Sequence, residues 1–303
     1  MVAKFLTTGR ARLFLAGAAV LVVLGVSGSL GLIDTDSLSL AVGSARPPTA
    51  YALELEGQPM GWLAPSSSSD LGPVYSTDPT FGNPATVKIS MATGAPPAFY
   101  QWITDSLDHP DRPDTTVRSG VIIASDRDYK EIKRFTFKSA RLTEATFPAQ
   151  EANSREQAYL KITFSPQTSE VNKKFAGATI TSPTNARGRQ TDFHVTIPGL
   201  MDFSQNIRKV KLLTIQFQPG GVVLPHFVVD VPPSSASAFT AWHAQANATK
   251  NGTLNYLDLT SSKALVSLEF HGLVPVNLAA PAGQPQLQWA DMTMSALSLA
   301  VKR

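Results

Sequence analysis

Pro96-Pro97-Ala98-Phe99-Tyr100-Gln101-Trp102 and Pro232-Pro233-Ser234-Ser235-Ala236-Ser237-Ala238-Phe239-Thr240-Ala241-Trp242 are two versions of one phrase. Each carries a Pro-Pro pair and then Ala-Phe-x-x-Trp. Each follows an alternating run, Thr86-Val87-Lys88-Ile89-Ser90-Met91 or His226-Phe227-Val228-Val229-Asp230-Val231. Alternation with a period of two predicts a strand with one buried face. Phe99, Trp102 and Ile103 instead fall at i, i+3 and i+4, which is one face of a helix. Proline suits the first helical turn, where its missing N–H would have had no intrahelical partner. Each phrase therefore predicts a strand, then a short helix whose tryptophan, Trp102 or Trp242, plugs a β core.

Working outward, the rhyme continues in the same order. Ser119-Gly120-Val121-Ile122-Ile123-Ala124-Ser125-Asp126 answers Asn251-Gly252-Thr253-Leu254-Asn255-Tyr256-Leu257-Asp258, and both open on a turn-forming pair. Phe137 precedes Pro148-Ala149 at the spacing with which Phe270 precedes Pro281-Ala282. Tyr159 to Phe164 and Met292 to Leu297 are alternating strands that close each half. Four shared features in one order predict an internal duplication. The fold class expected is mainly β: two tandem β-barrel or β-sandwich domains, each with one short α-helix, behind an N-terminal hydrophobic helix. Each half reads as strand, strand, helix, strand, strand, strand. The domains span 46–171 and 191–303. Residues 172–190 form a linker or an extended surface strand, and Ser66 to Asp70 and Asp78 to Pro84 are loops by composition. The expected structural core is Phe99, Trp102 and Phe137 in the first half and Phe239, Trp242 and Phe270 in the second.

Residues 1–45 are a separate element. Lys4, Arg10 and Arg12 precede the apolar run from Leu13 to Val26, which Leu30 to Ile33 extend. A basic start, an apolar stretch and small residues after it predict a secretory signal. Counted through Ile33, the run is about 20 residues, long enough to be an uncleaved membrane anchor. Either way the bulk of the chain is expected outside the cytoplasm, secreted or tethered to the membrane.

Composition removes several function classes. The 303 residues are 43% hydrophobic and 16% charged, which supports packed cores rather than disorder. The net charge is +3, too balanced for nucleic acid to be expected as a partner. There is no cysteine, so disulfides, thiolate metal sites and cysteine nucleophiles are excluded.

The order of these motifs resembles the tail-tube family of contractile phages and the inner tubes of related injection machines. Leu53-Glu54-Leu55-Glu56-Gly57 with Gly61-Trp62-Leu63 is similar to that family's first strand pair. Thr86 to Met91 with Phe99 to Ile103 is similar to its central strand and helix. Gly120 to Ile123 through Arg134-Phe135-Thr136-Phe137-Lys138-Ser139-Ala140 is similar to its long hairpin, and Glu156 to Phe164 to its closing strand. The second half resembles it through Val231 to Ser235 and Phe239 to His243. The likeness covers residues 51–303 and consists of β-patterns, not a chemical signature. It implies a non-enzymatic structural protein that forms homo-oligomeric rings by sheet extension. A tandem chain would do so as a trimer with pseudo-sixfold symmetry, giving a ring of six domains. A partner in a tail-like or injection assembly is also implied. The exported leader departs from the family pattern, and Trp102 to Gly120 is longer than Trp242 to Gly252.

The residues offer little else for chemistry. Asp105, Asp108, Asp111 and Asp114 crowd one stretch, but their spacing is not that of a calcium loop and Arg112 sits among them, so a solvated loop is expected. His109, His194, His226, His243 and His271 show no i, i+4 pair for zinc. His243 is expected at a helix end. No Gly-x-Ser-x-Gly elbow, dinucleotide-binding glycine motif or P-loop occurs in the body of the chain, so no catalytic, cofactor or metal residue is expected. Asn247-Ala248-Thr249 and Asn251-Gly252-Thr253 match the glycosylation pattern, and Asn251-Gly252 reads more simply as a turn. Trp62, Trp102, Trp242 and Trp289 would together make a carbohydrate platform if they were exposed. A monomeric surface adhesin or glycan-binding module is thus the alternative to a ring.

Overall fold

The strand-forming stretches begin at β1 (Ala50–Leu55) and β2 (Gln58–Trp62). Glu56 and Gly57 join them with φ of 49° and 75°. A two-residue hairpin turn of this type matches strand twist and needs positive φ at both central positions, which glycine adopts without strain. The chain continues through β3 (Val87–Ala92), the first helix (Pro97–Asp108), a single turn (Pro113–Thr116), β4 (Val117–Ser125), β5 (Glu131–Phe147), β6 (Gln150–Glu151), β7 (Tyr159–Ser165) and β8 (Thr168–Asn172). Then come β9 (Phe193–Thr196), β10 (Lys209–Val210), β11 (Leu213–Gln218), β12 (Gly221–Val223) and β13 (Phe227–Val231). The second long helix (Pro233–His243), β14 (Lys250–Leu257), β15 (Ala264–Ala279), β16 (Ala290–Ser295) and β17 (Ser298–Lys302) complete it. This computed structural model describes residues 49–64, 86–172, 177–200, 207–245, 248–279 and 290–303. The apolar leader, Asn247, Pro281-Ala282 and Trp289 lie outside them. No helix among the described residues is long and apolar enough to cross a membrane.

The chain is mainly β, and both helices start where the Pro-Pro pairs predict, with Pro at the first turn. The expected strand order needs correction. Three strands precede the first helix rather than two, and β9 to β13 precede the second. Each half also closes one strand later than expected, on β8 and β17. β8 reads Thr-Ser-Glu-Val-Asn and has no buried residue, so it has no apolar face to announce it.

The ladders match between the halves. β3–β7, β5–β7, β4–β5, β5–β8 and β1–β4 pair antiparallel in the first. β13–β16, β15–β16, β14–β15, β15–β17 and β9–β14 do the same in the second. The irregularities match too. Register shifts fall at Arg118/Gly120, Ala124/Ser125 and Leu142/Glu144, and at Lys250/Gly252, Tyr256/Leu257 and Pro275/Asn277. Ser139 in β5 and Gly272 in β15 both take positive φ, 49° and 64°. The N–H of Ser139 donates to Ser119 Oγ (3.2 Å) and that of Gly272 to Asn251 Oδ1 (3.1 Å). Bulges bend and twist a strand. These let each long strand serve β4 or β14 with its first part and β7 or β16 with its last.

Side chains compensate where the halves differ. Val87 opposes Phe164 across β3–β7, and Phe227 opposes Met294 across β13–β16. Phe137 packs on Phe164 with centroids 4.9 Å apart, and Phe270 stacks on Phe227 at 4.4 Å. The aromatic ring has changed strand while each core stays filled, the kind of volume-conserving exchange that cores tolerate.

The halves are not separate bodies. Arg46–Arg303 forms one compact unit. Among the described residues, a nine-stranded sheet takes in β11 and β12 from the second half, and an eight-stranded sheet takes in β6 from the first. Residues 177–190 are a strap without regular strands. It bridges Lys130 at Thr179, Gly94 at Ala186 and Gln157 at Arg189.

Trp102 is 0% and Trp242 2% exposed. Trp102 Nε1 donates to Thr116 O and Trp242 Nε1 to Ala248 O, each at 2.8 Å, so each indole ties its helix to the chain entering the next strand. Trp102→Ala and Trp242→Ala should each lower unfolding free energy by roughly 3–5 kcal/mol. Urea denaturation of the full chain measures this, and a loss below about 1 kcal/mol would contradict such burial.

Candidate functional site

All six expected core residues are buried. Phe164 links Trp102 (5.5 Å) to Phe137 (4.9 Å), and Phe239 lies 5.8 Å from Trp242. Phe270 stacks on Phe227 with ring centroids 4.4 Å apart. These residues hold sheets and helices together and expose no reactive group.

The chain's most distinctive geometry is at the edges of its two long strands. Residues 144–146 of β5 pair with β7 on one side and with β11 on the other, so both edges are filled. Leu213 pairs with Phe147, Thr214 with Thr146, Ile215 with Ala145 and Gln216 with Glu144. β15 is filled by β17 and then β16 along one edge, and by β14 along the other as far as Leu273. Beyond Leu273, on β14's side, Asn277–Ala279 meet no strand among the described residues. Ala145 and Phe147, which pair with β11, are buried.

Side-chain hydrogen bonds cross the seam between the halves. Thr146 Oγ1 meets Thr214 Oγ1 at 3.1 Å, and Thr104 Oγ1 donates to Val301 O at 3.2 Å. Tyr256 packs on Phe147 with centroids 6.0 Å apart, and its hydroxyl donates to Pro148 O at 3.2 Å. Burial pushes the Tyr256 phenol well above its ordinary range, so it stays a donor. Lys209 pairs with Glu151 at 3.0 Å where β10 meets β6.

A groove of about 660 Å³ lies between β2, the β4–β5 turn and the strap. Ala50, Leu63 and Ala92 line it beside Trp62, Tyr129, Tyr159, Asn185 and Arg187. Trp62 and Tyr129 meet edge to face at 5.1 Å. Tyr129 is 53% exposed and takes a φ of 57°. Asn185 donates to Met60 O at 2.9 Å and pins the strap over β2.

The chain matches no family model and no curated protein sequence.

Among the described residues no group of three His, Asp or Glu could hold a metal ion. Asp105 pairs with Arg118 and accepts from Gln101 Nε2 at 2.7 Å. His243 is the last residue of the second helix, as its position predicts. Two features went unread in the sequence. The strand character of β11 was visible in Leu213, Ile215 and Phe217. Tyr129 carried no signal, because the strap that makes it a groove wall is set by tertiary contacts.

Asp258 opens the β14–β15 turn. Its Oδ1 accepts from Thr260 Oγ1 (2.6 Å) and N (2.9 Å), and from Ser261 N (2.8 Å) and Oγ (3.0 Å). These bonds, the Thr260 hydroxyl foremost, lower its pKa to about 2. A depressed native pKa favours the folded turn above the free carboxyl range of about 4, and that preference is lost as pH falls through about 2. NMR titration of the Asp258 carboxyl should find its midpoint near 2. Tyr256→Phe should cost about 1 kcal/mol in denaturant unfolding, since it removes one of the two hydrogen bonds to Pro148 O, the other coming from Gln150 Nε2 at 3.3 Å.

Proposed function

We propose that this chain is an exported, non-enzymatic structural protein that assembles with copies of itself by sheet extension. Its two halves act as tandem tail-tube-like domains. Three copies give a ring of six domains, and rings stack or dock onto a larger injection-type assembly. The observation that carries this reading is β11 of the second half completing the sheet of the first. One copy of the repeat uses a strand of the other to fill its edge, and a chain with a repeat at each end can extend the arrangement. Unfilled edges invite pairing, and a closed ring removes them. The matched ladders and bulges support the tandem reading. The basic, apolar leader supports export.

The groove favours a second reading, a glycan-binding surface module. Aromatic side chains with polar neighbours in a cleft of this size are the makings of a small-ligand site. Saccharide titrations followed by the fluorescence of Trp62, with Trp62→Phe as the blank, address it directly.

Light scattering and electron microscopy of the full chain, in detergent to shield the leader, separate the two. The ring reading expects a trimer mass and annular particles. A sharp monomer at every concentration removes it.

A further inference from the structure

Resting on the glycan-binding reading of the groove, we propose that Tyr129 is its stacking platform and that its ligand is a short neutral oligosaccharide. One pyranose ring lies on the tyrosine while Asp128 and Arg187 hold its hydroxyls. The first observation is conformational. Tyr129 is 53% exposed at a φ of 57°, a region that a bulky side chain enters only under strain. The turn does not need an aromatic there. Asp126 N–H donates to Lys130 O (3.0 Å) and Tyr129 N–H to Asp126 O (3.2 Å). In the matching turn between β14 and β15, Asp258 N–H donates to Lys263 O (2.8 Å) and Ser262 N–H to Asp258 O (3.2 Å). Ser262 has a φ of 53°, so it occupies the place of Tyr129. The same backbone device carries a small polar side chain in one half and a large, half-exposed ring in the other. The ring therefore answers to something other than the turn, and strained residues gather at ligand clamps.

The second observation is that the ring is held in place. Asp126 Oδ1 accepts from the N–H groups of Asp128 and Lys130, each at 2.9 Å. The strap closes the other side, with Ile180 N–H donating to Tyr129 O and Glu131 N–H to Ala178 O, each at 2.8 Å. Trp62 meets the ring edge to face. An aromatic fixed in this way loses little freedom when a ligand lies on it. The third observation is the charge of the lining. Asp128 on the turn and Arg187 on the strap both line the groove and are exposed, and neither side chain has a partner among the described residues. A carboxylate only accepts hydrogen bonds and a guanidinium only donates them. A sugar hydroxyl does both, and a pyranose adds a face of C–H groups that packs on an aromatic ring. Opposite charges in one lining favour neither an anion nor a cation, so a neutral sugar uses the site most fully. The cleft volume is within the range of small-ligand sites.

The test is isothermal titration of the full chain, in a detergent without a sugar headgroup. The probes are cello-, malto- and chito-oligosaccharides, with oligogalacturonate as the acidic counterpart. The expected result is binding of at least one neutral probe. Tyr129→Ser should weaken that binding roughly tenfold or more. Its melting temperature should not change, because serine already serves the matching turn. Tyr129→Phe should keep the affinity, since it keeps the ring. Asp128→Asn and Arg187→Gln, both at exposed positions, should each weaken binding without unfolding the chain. Neutral binding that survives Tyr129→Ser intact, or binding of oligogalacturonate alone, overturns this inference and leaves the glycan-binding reading standing. A wild-type chain that binds none of the probes overturns both.

Discussion

A β-strand has two edges, and every backbone group along them needs a partner. The long strands β5 and β15 turn this requirement into the plan of the molecule. Each is too long for one neighbour per side, so each is bent and shared among several. The bend rests on a single residue with positive φ, Ser139 or Gly272, whose N–H is taken by a side chain from the preceding strand. Glycine reaches that conformation freely and serine only under some strain, so the hydrogen bond from Ser119 has the heavier task in the first half. The helices, the tryptophans that pin them and the seam between halves are arranged around strands bent in this way.

Packing then makes each half specific. Phe164 gathers Trp102 and Phe137 in the first core, while the second places its ring on β13 as Phe227 and leaves Met294 opposite. The two interiors have similar filling and different jigsaws. At the seam, Tyr256 reaches Pro148 of the other half through a buried hydroxyl, so the contact is directional as well as apolar.

The helices and the central strands were legible because their periods are strong: Phe99, Trp102 and Ile103 at helical spacing, Val87, Ile89 and Met91 at strand spacing. The tryptophans as core plugs were legible for the same reason. β8 was not, because a strand of Thr, Ser, Glu and Asn around a single half-buried Val171 has too little apolar pattern to show. β10 was too short, at two residues, to have a period. β11 does alternate, yet its destination is the sheet of the other half, and no local pattern states which sheet a strand will join. The strap at 177–190 is largely polar and exposed, and contacts with distant parts of the chain, among them bridges to Lys130, Gly94 and Gln157 and the bond from Asn185 to Met60 O, give it a shape. The groove walled by Trp62 and Tyr129 exists because of that strap, so the candidate site was less legible than the fold.

The crossing of β11 into the first sheet has an evolutionary consequence. Once one half lends a strand to the other, neither can be lost, and neither can drift in the length of that loan without exposing the other's flank. The borrowed hairpin and the frame that receives it must be inherited as a set, which ties the two halves into one indivisible gene product.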